Sequence, residues 1–530
     1  KLDDELPELM LTVAQLLFPQ LVRPLPAASI LEFTPLPNAL RDRKLVKAGT
    51  EVQSVPVDGT RCRFRTAADC TLAPLALTRA SLQDAVAQRQ DLHLELQVMQ
   101  AGELDRIVPE ALSLHFAGEP RDSLALLAHV LGKTTEVVLY DASKGIDGPH
   151  VTLPPTALVG QGFDEDQALL PASQTAFPGY RLLQEYYVLP SKFAFLEIRD
   201  FARVAQLGEL TRIGICFRFD HRVPGVRSVS TDQIKLHCVP ILNVFETTAE
   251  PIRVNRQRER YLVRPAGLPP GQGDVYSVEK VQTAAIGGQR VEIPSFLSFE
   301  HAAEMEDKSR VFFVEHRRPT VVGEGADVLL SLGTAEDSGF IPDAEVLSID
   351  LLATNAQLAN ALRAGEITEP TPSSPPFAKF RNLSAATTYV PAPLGHDLKW
   401  RATAHAAMNL RALTEVDVLR TTLAVYNLQA LVDRQAARAN ELRIQGVRNV
   451  AVKPGEKLYR GAAVRGVDIE VELEESGFGG DGDVFLFGAV LERLFAEYVS
   501  INSFSRTKVR GITSNLEYRW PARSGSQTLL

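Results

Sequence analysis

The chain opens on an apolar stripe at helical spacing. In "KLDDELPELMLTVAQLLF" the residues Leu6, Leu9, Val13, Leu16 and Leu17 recur every three or four positions behind Asp3, Asp4 and Glu5. Acidic side chains suit the positive end of a helix dipole, so the pattern predicts an amphipathic helix that stops at Pro19. Over residues 25–243 the texture changes to short alternating runs broken by proline and glycine, as in "GTEVQSVPVDGTRCRFRT". A period of two predicts antiparallel strands with one wet face. Within this stretch "RDSLALLAHVLGK" reads as a helix, and "TEVVLYD", "FAFLEIRDF" and "IGICFRF" read as strands. "PAGLPPGQG" (265–273) is a long turn, after which "RVFFVEHRRP" and "EVLSIDLLAT" resume the β-like pattern.

Residues 369–393, "EPTPSSPPFAKFRNLSAATTYVPAP", hold six prolines in 25 positions, which prevents regular helix and predicts an extended connector. A helical block over 398–442 follows, with Thr414 and Asp417 in the positions of a capping box. The strand "VDIEVELEE", a glycine loop, an apolar helix and "TKVRGI" complete a smaller α+β unit. The expected architecture is therefore a multi-domain α+β chain. It comprises an N-terminal helix in 1–24, a β-rich mixed domain in 25–243, a β-rich central domain in 244–368, a proline-rich linker in 369–397 and a helical and α+β domain in 398–530. At 530 residues the chain exceeds the roughly 250–300 over which a single core grows, which agrees with several units.

"ESGFGGDGDVFLFGAVLERLF" contains the spacing Gly477-x-Gly479-x-x-Gly482 between a predicted strand and a predicted helix, the order of a dinucleotide-binding turn. Three features oppose a phosphate cradle. The strand alternates Val467, Ile469, Val471 and Leu473 with Asp468, Glu470, Glu472 and Glu474, whereas the first strand of such a fold is apolar on both faces. Glu474, Glu475, Asp481 and Asp483 crowd the loop and would repel a pyrophosphate. The downstream acid that would hold a ribose is replaced by "SINSFS". The helix beyond carries Phe487, Val490, Leu491, Leu494, Phe495, Tyr498 and Ile501 in one stripe, with Glu492, Arg493, Glu497 and Ser500 elsewhere around it. At about 1.5–3 kcal/mol per fully buried large side chain, covering the stripe is worth on the order of ten or more kcal/mol before entropy. Either the chain's own core covers it or a bundle shared with partner chains does.

The net charge of −9 provides no global field for nucleic acid or an anionic membrane, and apolar runs such as 484–491 fall short of the ~20 residues of a membrane span. A soluble cytoplasmic protein is expected. Cys62, Cys70, Cys216 and Cys238 have no C-x-x-C spacing and read as reduced core thiols. His301 and Glu304 lack the second histidine of a zinc motif, and His237 and Cys238 would point to opposite faces of a strand. Arg61, Arg63 and Arg65 share one strand face that either grips an anion or meets cross-strand carboxylates. No catalytic, cofactor-binding or metal-binding residue is singled out, and no enzyme activity is expected.

"KLDDELPEL…LLFPQLVRPLP", "CRFRTAADCTLAPL", "GYRLLQEYYVLPSKFAFLEI", "HCVPILNVFETTAEPIRV", "DVYSVEKV", "RRPT", "FLFGAVLERLFAEYVSINSFSRTKVR" and "WPARSGSQTLL" occur in this order along the whole chain. Together they resemble the TssF (VasA/ImpG) family, a baseplate subunit of bacterial type VI secretion systems that is similar to wedge proteins of contractile phage tails. That family usually carries a further segment before "KLDDE", so the natural N-terminus is expected to lie outside this sequence. The resemblance implies a structural role without cofactors. Two TssF copies would join one TssG in a wedge with TssK, which links to the membrane complex, and TssE, near the sheath. Wedges would surround the VgrG spike and start growth of the Hcp tube. On this reading the candidate partner interface is Phe487, Leu491, Leu494, Phe495 and Tyr498 together with Leu9 and Leu16 of the opening helix. A phage-tail wedge protein and a nucleotide- or glycan-binding enzyme using the glycine loop are the alternatives.

Overall fold

The computed structural model describes the chain except for residues 1–13, 16–18, 86–88, 101, 172–177, 256–257, 285–289, 297–310, 321–324, 335–345, 396–409, 460–461, 515 and 526–530. The predicted helix at the start of the chain therefore lies almost wholly outside the described residues. Among the described residues strands dominate, in seven sheets, as the alternating pattern predicts. Five helices of eleven or more residues accompany them there: α1 (Pro120–Lys133), α2 (Pro178–Val188), α3 (Val416–Tyr426), α4 (Arg434–Gly446) and α5 (Asp481–Glu497).

A six-stranded antiparallel sheet runs in the order Glu369–Pro370, Glu51–Val57, Thr60–Thr66, Cys238–Leu242, Ala28–Pro35, Ala378–Asn382. Its two outermost strands come from the proline-rich segment expected as an extended connector. Glu369 and Pro370 pair with Gln53 and Val52, and residues 378–382 pair with residues 31–35. Proline cannot donate to a ladder but is tolerated at a sheet edge, and these are edges. The segment thus closes the N-terminal sheet. Arg61, Arg63 and Arg65 of the same sheet meet Glu369, Glu51 and Glu246 at 3.6, 2.8 and 3.1 Å, so their face is matched by carboxylates.

A five-stranded sheet (His150–Leu153, Thr134–Asp141, Arg212–Phe219, Gln90–Val98, Leu75–Asp84) and a four-stranded sheet (Leu158–Gly160, Phe195–Ile198, Leu112–Phe116, Ile234–Leu236) pack with α1 around the largest core. His237 has a left-handed φ of 54° and turns the chain from Ile234–Leu236 of one sheet into Cys238–Leu242 of another. His237 and Cys238 are therefore separated by a corner, not by the two faces of a strand. Burial lowers the His237 pKa to about 4, and its neutral Nε2 accepts the Ala73 N–H at 3.2 Å.

The central unit closes a separate core, with Val281, Leu330, Ile349 and Leu351 at its centre, between a five-stranded and a three-stranded sheet. Asn243 bolts it to the N-terminal sheet. Its Oδ1 accepts from the Thr354 hydroxyl at 2.7 Å and the Asn355 N–H at 2.8 Å, while its Nδ2 donates to the Arg63 carbonyl at 2.7 Å.

In the C-terminal unit the long hairpin Val447–Tyr459 and Ala462–Leu473 continues through α5 into Phe504–Gly511, which lies parallel to Ala462–Leu473. Parallel neighbours need such a helical crossover. The expected capping box does not form. Thr414 donates to the Arg411 carbonyl at 2.7 Å, leaving Glu415 as the N-cap of α3 without a side-chain bond. α4 is capped by Asp433, which accepts from the N–H groups of Gln435 and Ala436 at 2.8 and 3.0 Å.

Gly482, in the first turn of α5, lies directly on the α1 backbone: a Cβ there would fall 2.2 Å from both Leu124 C and Ala125 N. Gly132, near the end of α1, has open space where its Cβ would be. Alanine favours helix at both positions, so packing alone should separate the two outcomes. Gly482→Ala is expected to lower stability by about 2–3 kcal/mol through overpacking, and Gly132→Ala to raise it by about 0.5–1 kcal/mol, as read by denaturant unfolding.

Candidate partner interface

The apolar stripe of α5 faces inward. Phe487, Leu491, Leu494 and Phe495 have no exposed surface, and Tyr498 is 8 % exposed. α1, α2 and the strand Phe504–Gly511 cover them. Tyr180 of α2 stacks on Tyr426 of α3 with centroids 4.6 Å apart and hydrogen-bonds the Tyr498 hydroxyl, while Tyr186 packs on Phe487 at 5.8 Å. These five predicted interface residues are thus brought together, but within the chain's own core, and a partner could reach them only if α5 left its seat. Ile501, the last residue of the stripe, is 57 % exposed. Leu9 and Leu16 lie outside the described residues.

The polar side of α5 is also covered. Glu492 is buried and accepts from Arg493 at 3.0 Å and from Arg523, near the chain's C-terminal end, at 2.7 Å. The Arg493 guanidinium lies 3.9 Å from the centroid of the Phe163 ring. Phe485 stacks on Trp520 with centroids 5.7 Å apart. A helix apolar on one side in sequence is therefore buried around most of its girth, because paired charges extend its burial, with Asp481, Phe485, Arg493 and Glu497 still reaching solvent.

The glycine loop binds anions, but they are its own. Asp483 Oδ2 accepts the Gly479 N–H at 2.9 Å and Arg443 Nε at 2.8 Å, and its Oδ1 accepts the Tyr186 hydroxyl at 3.0 Å. Glu475 accepts the N–H groups of Thr513 and Ser514 at 3.0 and 2.8 Å. A pyrophosphate would meet the Asp483 carboxylate already holding the Gly479 N–H, with Glu475 repelling it from beside the loop, and α1 fills the space beside Gly482. The strand–loop–helix order is real, yet the cradle is filled.

Sequence reading missed the polar heart of α2. Glu185 and Lys192 are both fully buried and form an ion pair, with Glu185 also accepting the N–H groups of Leu169 and Leu170 at 2.8 and 3.0 Å. Arg181 lies 3.6 Å from the same carboxylate. Burial pulls the Lys192 pKa below the ordinary lysine value, with Glu185 opposing the shift. The only local signal was Arg181 and Glu185 at i, i+4 in an otherwise apolar and aromatic run, a spacing equally common on solvated helices. Exposed apolar side chains in the C-terminal region include Leu431, Leu442, Ile501, Ile512 and Leu458, the last 81 % exposed at the end of the long hairpin, whose strand Val447–Tyr459 forms the edge of its sheet. Among the described residues no helix is long and apolar enough to cross a membrane.

Partial burial pushes the Glu475 carboxyl upward, but the N–H groups of Thr513 and Ser514 and the Ser514 hydroxyl outweigh it and hold the pKa at about 2, against an ordinary 4.5. A depressed carboxylate pKa stabilises the fold above the unfolded value, and that contribution is lost as pH falls toward the folded one. Between pH 4.5 and about 2, Glu475→Gln should therefore lose less stability than the unaltered protein, as read by melting temperature against pH.

With this geometry in hand, three comparisons converge. The family model described as "Type VI secretion system, TssF" matches residues 1–527. The type VI secretion system component TssF1 of Pseudomonas aeruginosa is 28 % identical over 566 residues, covering 99 % of this chain and 90 % of that protein. A chain from the cryo-electron microscopy structure of the TssK–TssF–TssG baseplate subcomplex superposes with a TM-score of 0.86 at 27 % identity, covering 99 % of this chain and 96 % of its own. A chain from the baseplate complex of the type VI secretion system shares the fold, with a TM-score of 0.61 at 22 % identity over 100 % of this chain and 90 % of its own. A match running from end to end, with the fold preserved, places this chain in the TssF family of type VI secretion systems.

Proposed function

We propose that this chain is a structural component of a type VI secretion baseplate, assembling with TssG and TssK, and that it works by being held among neighbours and carries out no chemistry. The observation that carries the reading is the 0.86 superposition on a chain of the TssK–TssF–TssG subcomplex, which extends over 99 % of this one. The family match over residues 1–527 favours a secretion system over a phage tail. The filled glycine loop removes the feature that had suggested a nucleotide- or glycan-binding enzyme. Two copies of this chain per TssG, with TssE toward the sheath and VgrG and Hcp at the wedge centre, complete the arrangement at the cytoplasmic side of the membrane-docked complex.

Because α5 is occupied by its own chain, the contact with TssG falls to the opening segment that carries Leu9 and Leu16, with Ile501 beside it in role. Among the described residues next to it, Gln184 of α2 donates to the Gln20 carbonyl at 3.1 Å, and Ala14 and Leu21 are buried.

Co-expression with the TssG and TssK of the same bacterium should yield one complex by size-resolved mass, with more copies of this chain than of TssG. Recovery of this chain as a monomer in the presence of both would defeat the assembly reading. Leu9→Asp with Leu16→Asp should reduce TssG recovery about tenfold or more, a loss of at least roughly 1.4 kcal/mol, while leaving the melting temperature unchanged. Undiminished TssG recovery would remove the opening segment as the contact.

A further inference from the structure

The five-stranded sheet built on Gln90–Val98 and Arg212–Phe219 turns one face away from the largest core, and that face carries a small separate cluster of Val138, Tyr140 and Cys216. Asp91 and His93, two apart on one strand, leave it on the same side. Cys216 stands directly opposite His93 on the neighbouring strand. One carboxylate oxygen, one imidazole nitrogen and the sulfur all lie within 4.8 Å of one another, with His93 Nε2 3.8 Å from Cys216 Sγ. Around tetrahedral zinc, with bonds of about 2.0–2.3 Å, nitrogen and sulfur ligands sit roughly 3.5 Å apart, so the pair is close to ligating distance.

The imidazole is also held in the orientation a ligand needs. Its Nδ1 lies 3.4 Å from the Tyr140 hydroxyl, which leaves Nε2 directed at the sulfur. Tyr140 reaches across because its cross-strand neighbour is Gly214, where a Cβ would fall 2.3 Å from Tyr140 Cζ. Metal-bound histidines usually donate the other ring N–H to a carboxylate, a backbone carbonyl or water, and the Tyr140 hydroxyl stands in that place here.

Arg218, matched by Glu136 at 2.7 Å, also donates to the Cys216 sulfur, so a bound ion would displace that contact and leave Arg218 to Glu136, while Arg79 is matched by Glu95 at 3.3 Å.

We propose that Asp91, His93 and Cys216 form a mononuclear site for a divalent transition metal, with zinc the ion best suited to its sulfur, nitrogen and oxygen donors and water as the fourth ligand. Binding forms the zinc–sulfur bond as the Cys216 thiol proton leaves to solvent. The site sits on the sheet away from α5.

Full-length protein stripped with a chelator and titrated with Co²⁺ tests this directly. One equivalent should bind with a thiolate-to-cobalt charge-transfer band and tetrahedral visible absorption, and zinc should displace it. Cys216→Ala and His93→Ala should abolish the band, Cys62→Ala should keep it, and Tyr140→Phe should weaken binding about tenfold as an orienting residue. Absence of the band at one equivalent, or equal cobalt uptake by Cys216→Ala and the unaltered protein, means an adventitious ion only and overturns the proposal. Should the variants fail to fold, the unaltered protein decides: its melting temperature must be higher with zinc than with chelator, and an unchanged value overturns the site.

Discussion

Gly482 of α5 lies against the peptide joining Leu124 to Ala125 of α1, and this backbone-on-backbone contact couples the C-terminal unit to the N-terminal half of the chain. Only a residue without a side chain permits that approach. Once α5 is seated, Asp483 one residue later reaches Tyr186 of α2, Arg443 of α4 and the Gly479 N–H at the same time. The stripe from Phe487 onward then falls into the space between α1, α2 and the parallel strands. Three helices and a sheet that are distant in sequence share one core because this helix can lie so close to its neighbour.

The same loop shows how a ligand-binding pattern can be put to structural use. Phosphate cradles work by presenting unpaired backbone N–H groups at the start of a helix. Here Asp483 takes the Gly479 N–H of the loop, while Glu475 caps the N–H groups of Thr513 and Ser514 beyond the strand Phe504–Gly511. The charge that disfavours a nucleotide is what satisfies the loop internally, and the glycines serve close packing. A fixed, ligand-free joint suits a protein whose relatives are assembled into a large complex.

Buried charge recurs throughout the hub. The carboxylates of Glu185, Glu492 and Asp483 are each removed from water and each paired, with Lys192, with Arg493 and Arg523, and with Arg443. Buried pairs contribute little net stability over apolar replacements but are costly to break. They make alternative packings of the helices expensive, which favours one geometry of the units over others.

The order and type of many elements were legible in the sequence because alternation and helical spacing are local: α1, the strands Thr134–Asp141 and Arg212–Phe219, and the alternating strand before the glycine loop all stand where the pattern put them. Membership of the TssF family was legible as well, since long motifs in fixed order survive when single positions change. Tertiary structure decided the rest. Whether the α5 stripe meets its own chain or another, whether a proline-rich segment hangs free or closes a sheet edge, and whether Glu185 is solvated or buried all depend on what arrives from distant parts of the chain. Periodicity fixes which side of an element is apolar; only the assembled packing fixes what covers it.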